Sequence, residues 1–447
     1  MKIQHILIAI ALLPMGAKAQ QIQYFRPNTQ QGLNVFETSK VDTVPFTGLK
    51  VKVGGNFAMA FQMLRNYNTA LPATAPGFTG NVNSLTRLID GFNLPNANLN
   101  IDVQLADGIR LNLTSYLASR HHENTWVKGG YIQFDKLLFL HNDVVDQLMK
   151  SFTIRIGQSD LDYGDQHFRR SDGGNTIHNP FVENYIMDAF ATEIGAAIYY
   201  HHPSGVFAMG GITNGELNAT VVAPTKIDAA TGNANKYPPA YQAKLGFDKQ
   251  VNTDTRVRLS GSYYTVNSAN SSTLYNGDRT GSHYYYVMSN PNIAAGTTLN
   301  SAVDYNAFSG RFNPGFSQEV HAFMGNLFLK HKGLEFFGTY ETSKGRTITE
   351  VNNRRATQYA ADLIYRFPAN TENFWVGARY NTVIAAIQGV PNDVRVNRAV
   401  ASAGWFMTKN IMLKAEYVNQ LYKNYPNTNL FNGGQIQGVM IEASVGF

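Results

Sequence analysis

Between Ser151 and Thr192 the chain concentrates residues that handle charge. Ser-Phe-Thr-Ile-Arg-Ile-Gly (151–157) carries Arg155, and the segment after it sets Asp160, Asp162, Asp165 and Asp172 among His167, Arg169, Arg170 and His178. A guanidinium keeps its charge at any pH and grips carboxylate or phosphate through two hydrogen bonds at once. Asp160, Asp162 and Asp165 facing Arg155, Arg169 and Arg170 would place a transverse field across a narrow passage, which is chemistry for sorting ions and polar solutes. Gly164, Gly173 and Gly174 permit the sharp turns such a segment needs. The alternative is an outward surface loop whose arginine pair touches lipopolysaccharide phosphates. Covalent chemistry has weaker support. Ser171 lies near His167 and His178, but a triad is defined by geometry and not by that spacing. His121-His122-Glu123 and His201-His202 pair adjacent histidines, which point to opposite faces of a strand. With no cysteine anywhere, thiolate catalysis, disulfides and cysteine-based metal sites are excluded. No enzyme, cofactor or metal is expected.

The elements that position these residues have a period of two. Phe152, Ile154 and Ile156 alternate with Thr153, Arg155 and Gly157, the pattern of a strand with one apolar and one polar face. A following connection this long is functional or disordered in most proteins. We read it as a loop, 158–192, folded into the lumen of a β-barrel.

Both ends of the sequence agree with that reading. Lys2, the apolar run Ile6–Leu13 and Ala17-Lys18-Ala19 make a secretory signal over residues 1–19. No later stretch approaches the ~18 apolar residues that a helical span requires. Outer-membrane strands instead hide their hydrophobicity in alternation, which suits a chain with 15% charged residues and 39 glycines. Formal charge drops from +6 to +4 without Lys2 and Lys18 (6 − 2 = 4), and no basic run suggests nucleic acid. The last strand places Val439, Ile441, Ala443, Val445 and Phe447 on one face. It resembles the C-terminal strand of outer-membrane proteins, whose final aromatic is read by the barrel-assembly machinery.

Residues 20–46 lack alternation and are too few for a plug domain; we expect a periplasmic segment under the barrel mouth. From 47 to 447 the pattern repeats. Leu99, Ile101, Val103 and Leu105 alternate with Asn98, Asn100, Asp102 and Gln104, and Asp107-Gly108 turns the chain into Ile109, Leu111 and Leu113. About sixteen strands follow this rule, each long enough to cross when tilted. That is an all-β, transmembrane antiparallel barrel, and sixteen strands leave an aqueous channel. Short turns then lie on the periplasmic side and long loops outside. The register turns Lys50, Lys52, Arg110, Arg256, Arg258, Arg379, Arg395 and Lys414 toward the lumen, against Asp102, Glu335, Glu341, Asp362, Glu416 and Glu442.

Phe152-Thr-Ile-Arg-Ile-Gly-Gln158 with its acidic loop resembles the strand and pore loop of the phosphate-selective porin O/P family and related sixteen-stranded porins. The start through Tyr24-Phe-Arg-Pro-Asn28 to Thr38 is similar to porin-like proteins of the Bacteroidetes group. The resemblance implies a homotrimer in the bacterial outer membrane, contacting its lipid and lipopolysaccharide. Phosphate specificity is put in doubt, because that family uses a lysine-rich ladder and this lumen carries few lysines and several acids. The expected function is passive diffusion of small hydrophilic solutes with a mild anion preference. The rival is a non-conducting barrel acting as a scaffold.

Overall fold

The computed structural model describes residues 21–74, 80–93, 95–118, 125–217, 221–278, 280–290 and 309–447. The signal segment 1–19 and the His121-His122-Glu123 cluster lie outside them. Alternation becomes strands throughout: β1 (Lys50–Tyr67), the two-residue β2 (Gly91–Phe92), β3 (Asn96–Ala106), β4 (Ile109–Ala118), β5 (Trp126–Phe134), β6 (Phe152–Asp160), β7 (Thr192–His201), β8 (Val206–Thr213) and β9 (Ala240–Gln250). The second half adds β10 (Thr255–Val266), β11 (Glu319–His331), β12 (Leu334–Arg346), β13 (Arg354–Phe367), β14 (Phe374–Ala385), β15 (Val394–Thr408), β16 (Ile411–Lys423) and β17 (Gln435–Gly446). Each long strand pairs antiparallel with the next. β1 joins both β3 and β17, so sixteen long strands form a closed ring with no free edge.

The outer face is apolar. Leu245, Val376, Leu259 and Leu363 stand about half exposed there, while their strand neighbours Lys244, Trp375, Arg258 and Asp362 are buried inside. Tyr365, Phe367, Phe374 and Trp405 stack in a row across three neighbouring strands, with ring centroids 5.8–5.9 Å apart. Aromatic girdles of this kind flank the apolar band of outer-membrane barrels. Among the described residues no helix is long and apolar enough to cross a membrane. A helix of about two turns, Asp143–Met149, forms after β5 where alternation stops, and Asn142 caps it through the Val144 and Val145 amides.

The interior is far fuller than a sixteen-stranded ring requires. Residues 161–191 are almost continuously buried, and their backbone is held by inward side chains of the opposite wall. Lys414 Nζ donates to the Thr176, Asn179 and Phe181 carbonyls at 3.1, 3.0 and 2.7 Å. The Val182, Ile186 and Met187 amides donate to Glu416, Asn381 and Gln358 at 2.7, 2.7 and 3.0 Å. Trp375, Arg379 and Arg398 reach the Pro180, Glu183 and Asn184 carbonyls. Buried away from bulk water, backbone groups need such partners, and these strands supply them. Toward the long-loop end, Ala269, Leu274, Tyr275, Tyr284, Val287 and Met288 join an apolar cluster with Val320, Val394, Val396 and Val418.

The N-terminal segment also enters the ring, at the end where the tight turns lie. Gln23 donates to Asp107 at 3.0 Å, Gln30 Nε2 reaches the Thr371 carbonyl at 3.0 Å, and Asn34 donates to Glu335 at 2.6 Å. Phe36 packs edge-on against Phe328, 5.4 Å between centroids. Residues 21–38 thus fill the mouth rather than lie beneath it.

Candidate functional site

With the loop pressed against β9–β17, free space remains on the other side, along β3–β7. An inner cavity of about 210 Å³ is bounded by Asn98, Asn100, Arg110, Tyr131, Arg155 and Tyr199 of that wall. The loop closes it with Asp162, His167, Phe168, Arg170 and Asp172, and the N-terminal segment with Phe25, Arg26 and Glu37. Toward the long-loop end lies a second space of about 430 Å³, lined by Tyr116, Trp126, Phe190 and Asp278. Lys128 and Gln158 line both.

Arg155, Asp160, Asp162, His167, Arg170 and Asp172 all line the inner cavity. Asp165 and Arg169 do not. Asp165 is bound by Arg258 Nε at 2.8 Å and by Lys244 at 2.8 Å. Arg169 turns to Glu335 at 3.3 Å and stacks over Phe328 and Phe337. Asp165 and Arg169 therefore do not confront each other across a gap; each has found a partner in the wall. Arg170 is gripped by Asp188 at 2.9 and 2.6 Å, and Asp162 by Lys244 at 2.6 Å. A buried charge without a partner costs several kcal/mol, of order 3–5 when one member of a pair is removed, which explains why pairing wins over display.

The lumen cations show the same economy. Arg110 meets Asp102 at 2.8 Å, Arg379 meets Asp362 at 2.7 Å, Lys414 meets Glu442 at 2.9 Å, and Arg256 meets Asp248 at 2.6 Å. Arg258 binds Glu37, Asp165 and Asp248 together. Lys50 and Lys52 sit at the mouth, one on the Gln21 carbonyl, the other 4.2 Å from the Phe25 ring centre. Arg395 is a correction: it is exposed, and Val394, Val396 and Arg398 occupy the inner face of β15. Near the loop end the inside is apolar, so the valines turn inward and Arg395 faces water.

Several residues of the site escape a reading by alternation. Lys128 is the unpaired residue of a bulge in β5, between Val127 and Gly129, which face Ser115 and Thr114. A bulge re-aims a side chain, and here it turns Lys128 inward onto Asp172 and over Phe190. Arg26, Tyr131 and Tyr199 likewise carry no sequence signal.

Two histidines at the cavity stay neutral. Burial pulls the His167 imidazole below its ordinary value despite Asp162 nearby. Burial, with Arg26 adding to it, holds His178 well below its ordinary value. Burial would raise Glu37, but Arg258 and Lys244 outweigh it and hold that carboxyl far below the usual range. Among the described residues no cluster of His, Asp and Glu is placed to hold a metal ion.

No family model matches the chain, and no curated protein is similar to it. Among solved structures, its neighbours are outer-membrane porins and channels. An anion-selective porin from Comamonas acidovorans is 10% identical, covering 89% of this chain and 100% of its own, with a TM-score of 0.47. The outer membrane channel DcaP of Acinetobacter baumannii is 11% identical over 90% and 99%, TM-score 0.48. A trimer form of OmpT, an outer membrane protein of Vibrio cholerae, is 11% identical over 90% and 100%, TM-score 0.45. Likeness at this level carries no functional inference.

Proposed function

We propose that this protein is an outer-membrane porin that lets small hydrophilic solutes diffuse through a path between the 158–192 loop and the β3–β7 wall. The observation that carries the reading is the pair of neighbouring spaces that share Lys128 and Gln158 in their walls. Polar groups line the inner space, and apolar residues cover the outside of the barrel. On this reading the tight turns and the N-terminal segment are periplasmic, the long loops are extracellular, and the loop is the constriction. Lumen residues set ion preference by their uncancelled charge. Since Arg110, Lys128 and Arg170 are cancelled, a mild anion preference would come from Arg155 and Arg26. A homotrimer and contacts with lipopolysaccharide complete the proposal.

The packed apolar cluster at the loop end favours a second reading, a non-conducting barrel serving as a scaffold. Planar-bilayer recording separates them. A porin gives stable steps in KCl, grouped in threes for a trimer, with a reversal potential in a salt gradient of the anion-preferring sign. A silent bilayer would favour the scaffold, and a cation-preferring potential would remove the role given to the arginines.

A further inference from the structure

The inner cavity contains an arginine, Arg155, with which no carboxylate of the described residues pairs directly. Arg110, Gln133 and Arg155 stand in one row across β4, β5 and β6. Both guanidinium groups donate to the single Gln133 Oε1, each at 3.3 Å. Arg110 has Asp102 as its counter-charge at 2.8 Å. Arg155 has no carboxylate within ion-pair distance among the described residues: Asp160 and Asp162 act on it only from farther off, its Nε is buried without a partner, and its hydrogen bond goes to that neutral amide. The rings of Tyr131 and Tyr199 lie 4.5 and 5.2 Å from it and fix its plane. The other cavity cation without a carboxylate is Arg26, which donates to the Gly32 and Phe168 carbonyls.

We propose that this cavity takes a small organic monocarboxylate, its carboxylate on Arg155 and its carbon body against Phe25 and Phe168. The inference rests on the channel reading and names its solute. A planar guanidinium with donors left unused matches a planar carboxylate, and an ionised pair of this kind is stronger than a neutral hydrogen bond. One or two unmatched positive charges suit a monoanion. A phosphate dianion would bring a second charge into a space that Asp102, Asp160 and Asp172 also line. It would also leave the phenylalanine rings unused, whereas a carbon body gains by covering them. The space is ample for such an anion: about 210 Å³ is the room of roughly seven waters at ~30 Å³ each.

The test uses the full chain in planar bilayers at pH 7, with lactate, inorganic phosphate and glycerol as probes of the KCl current. Lactate should interrupt the current at concentrations at least tenfold below those needed for phosphate or glycerol. Arg155→Gln should raise the lactate concentration required by about tenfold or more, as expected for loss of a charged hydrogen bond. Arg155→Lys should restore only part of the effect, because an ammonium lacks the two-pronged edge. Phosphate acting as well as lactate overturns the proposal, and so does a lactate effect that Arg155→Gln leaves unchanged. Should wild-type protein carry no KCl current, the channel reading itself fails. Titration calorimetry with lactate on that protein then decides the site: heat that Arg155→Gln removes upholds it, and no heat ends it.

Discussion

At Arg258 one guanidinium serves three carboxylates, reaching Asp165, Glu37 and Asp248 at 2.8, 2.7 and 3.1 Å. It joins wall, loop and N-terminal segment at one buried point. Arg258→Met should therefore cost about 3–5 kcal/mol, the usual loss when buried acids are stranded; urea unfolding in detergent micelles measures it. His178 gives the pH dependence. Its imidazole is held neutral in the folded protein, well below the 6.5 of an ordinary histidine. The unfolded chain thus binds the proton more readily, and stability falls as pH drops through the ordinary value. Between pH 7 and pH 5 the packing of the loop on the N-terminal segment should loosen, seen as faster amide exchange around Thr176–Pro180. His178→Phe should abolish that acceleration.

Among the elements, the N-terminal segment and the β5 bulge would set access on the channel reading. Removing residues 21–41 empties the mouth while leaving β1 whole, and single-channel conductance should rise several-fold. An unchanged conductance would mean that the narrowest point lies at Lys128. These elements also mark how far the sequence can be read. Leu99–Leu105 is legible because lipid outside and polar contacts inside impose period two on every residue. At Val394–Arg395 the same rule gives the wrong face, since the buried loops make the inside as apolar as the outside and alternation loses its sign. Asp165 and Arg169 were recognisable as charged loop residues. Their partners Arg258 and Glu335 lie about 90 and 166 positions away, and no local pattern links them. Lys128 was hidden for a third reason: one extra residue in β5 reverses the parity of everything before it.

As a whole, the molecule is a ring whose outside meets lipid and whose inside is mostly protein. Its three tryptophans report both environments. Trp405 stands 42% exposed on the outer face, whereas Trp375 is 1% exposed inside. In vesicles of acyl-brominated lipid, a variant keeping only Trp405 should lose most of its fluorescence and one keeping only Trp375 should lose little. Equal quenching would contradict the sidedness of β14 and β15. The segment that fills the mouth runs directly into β1, the strand that bonds β17 on one side and β3 on the other. Stoppering and sealing are therefore tasks of one continuous stretch. A folding intermediate caught with its seam unzipped should also be unstoppered, and any device that prised β1 loose would uncork the vessel at the same stroke.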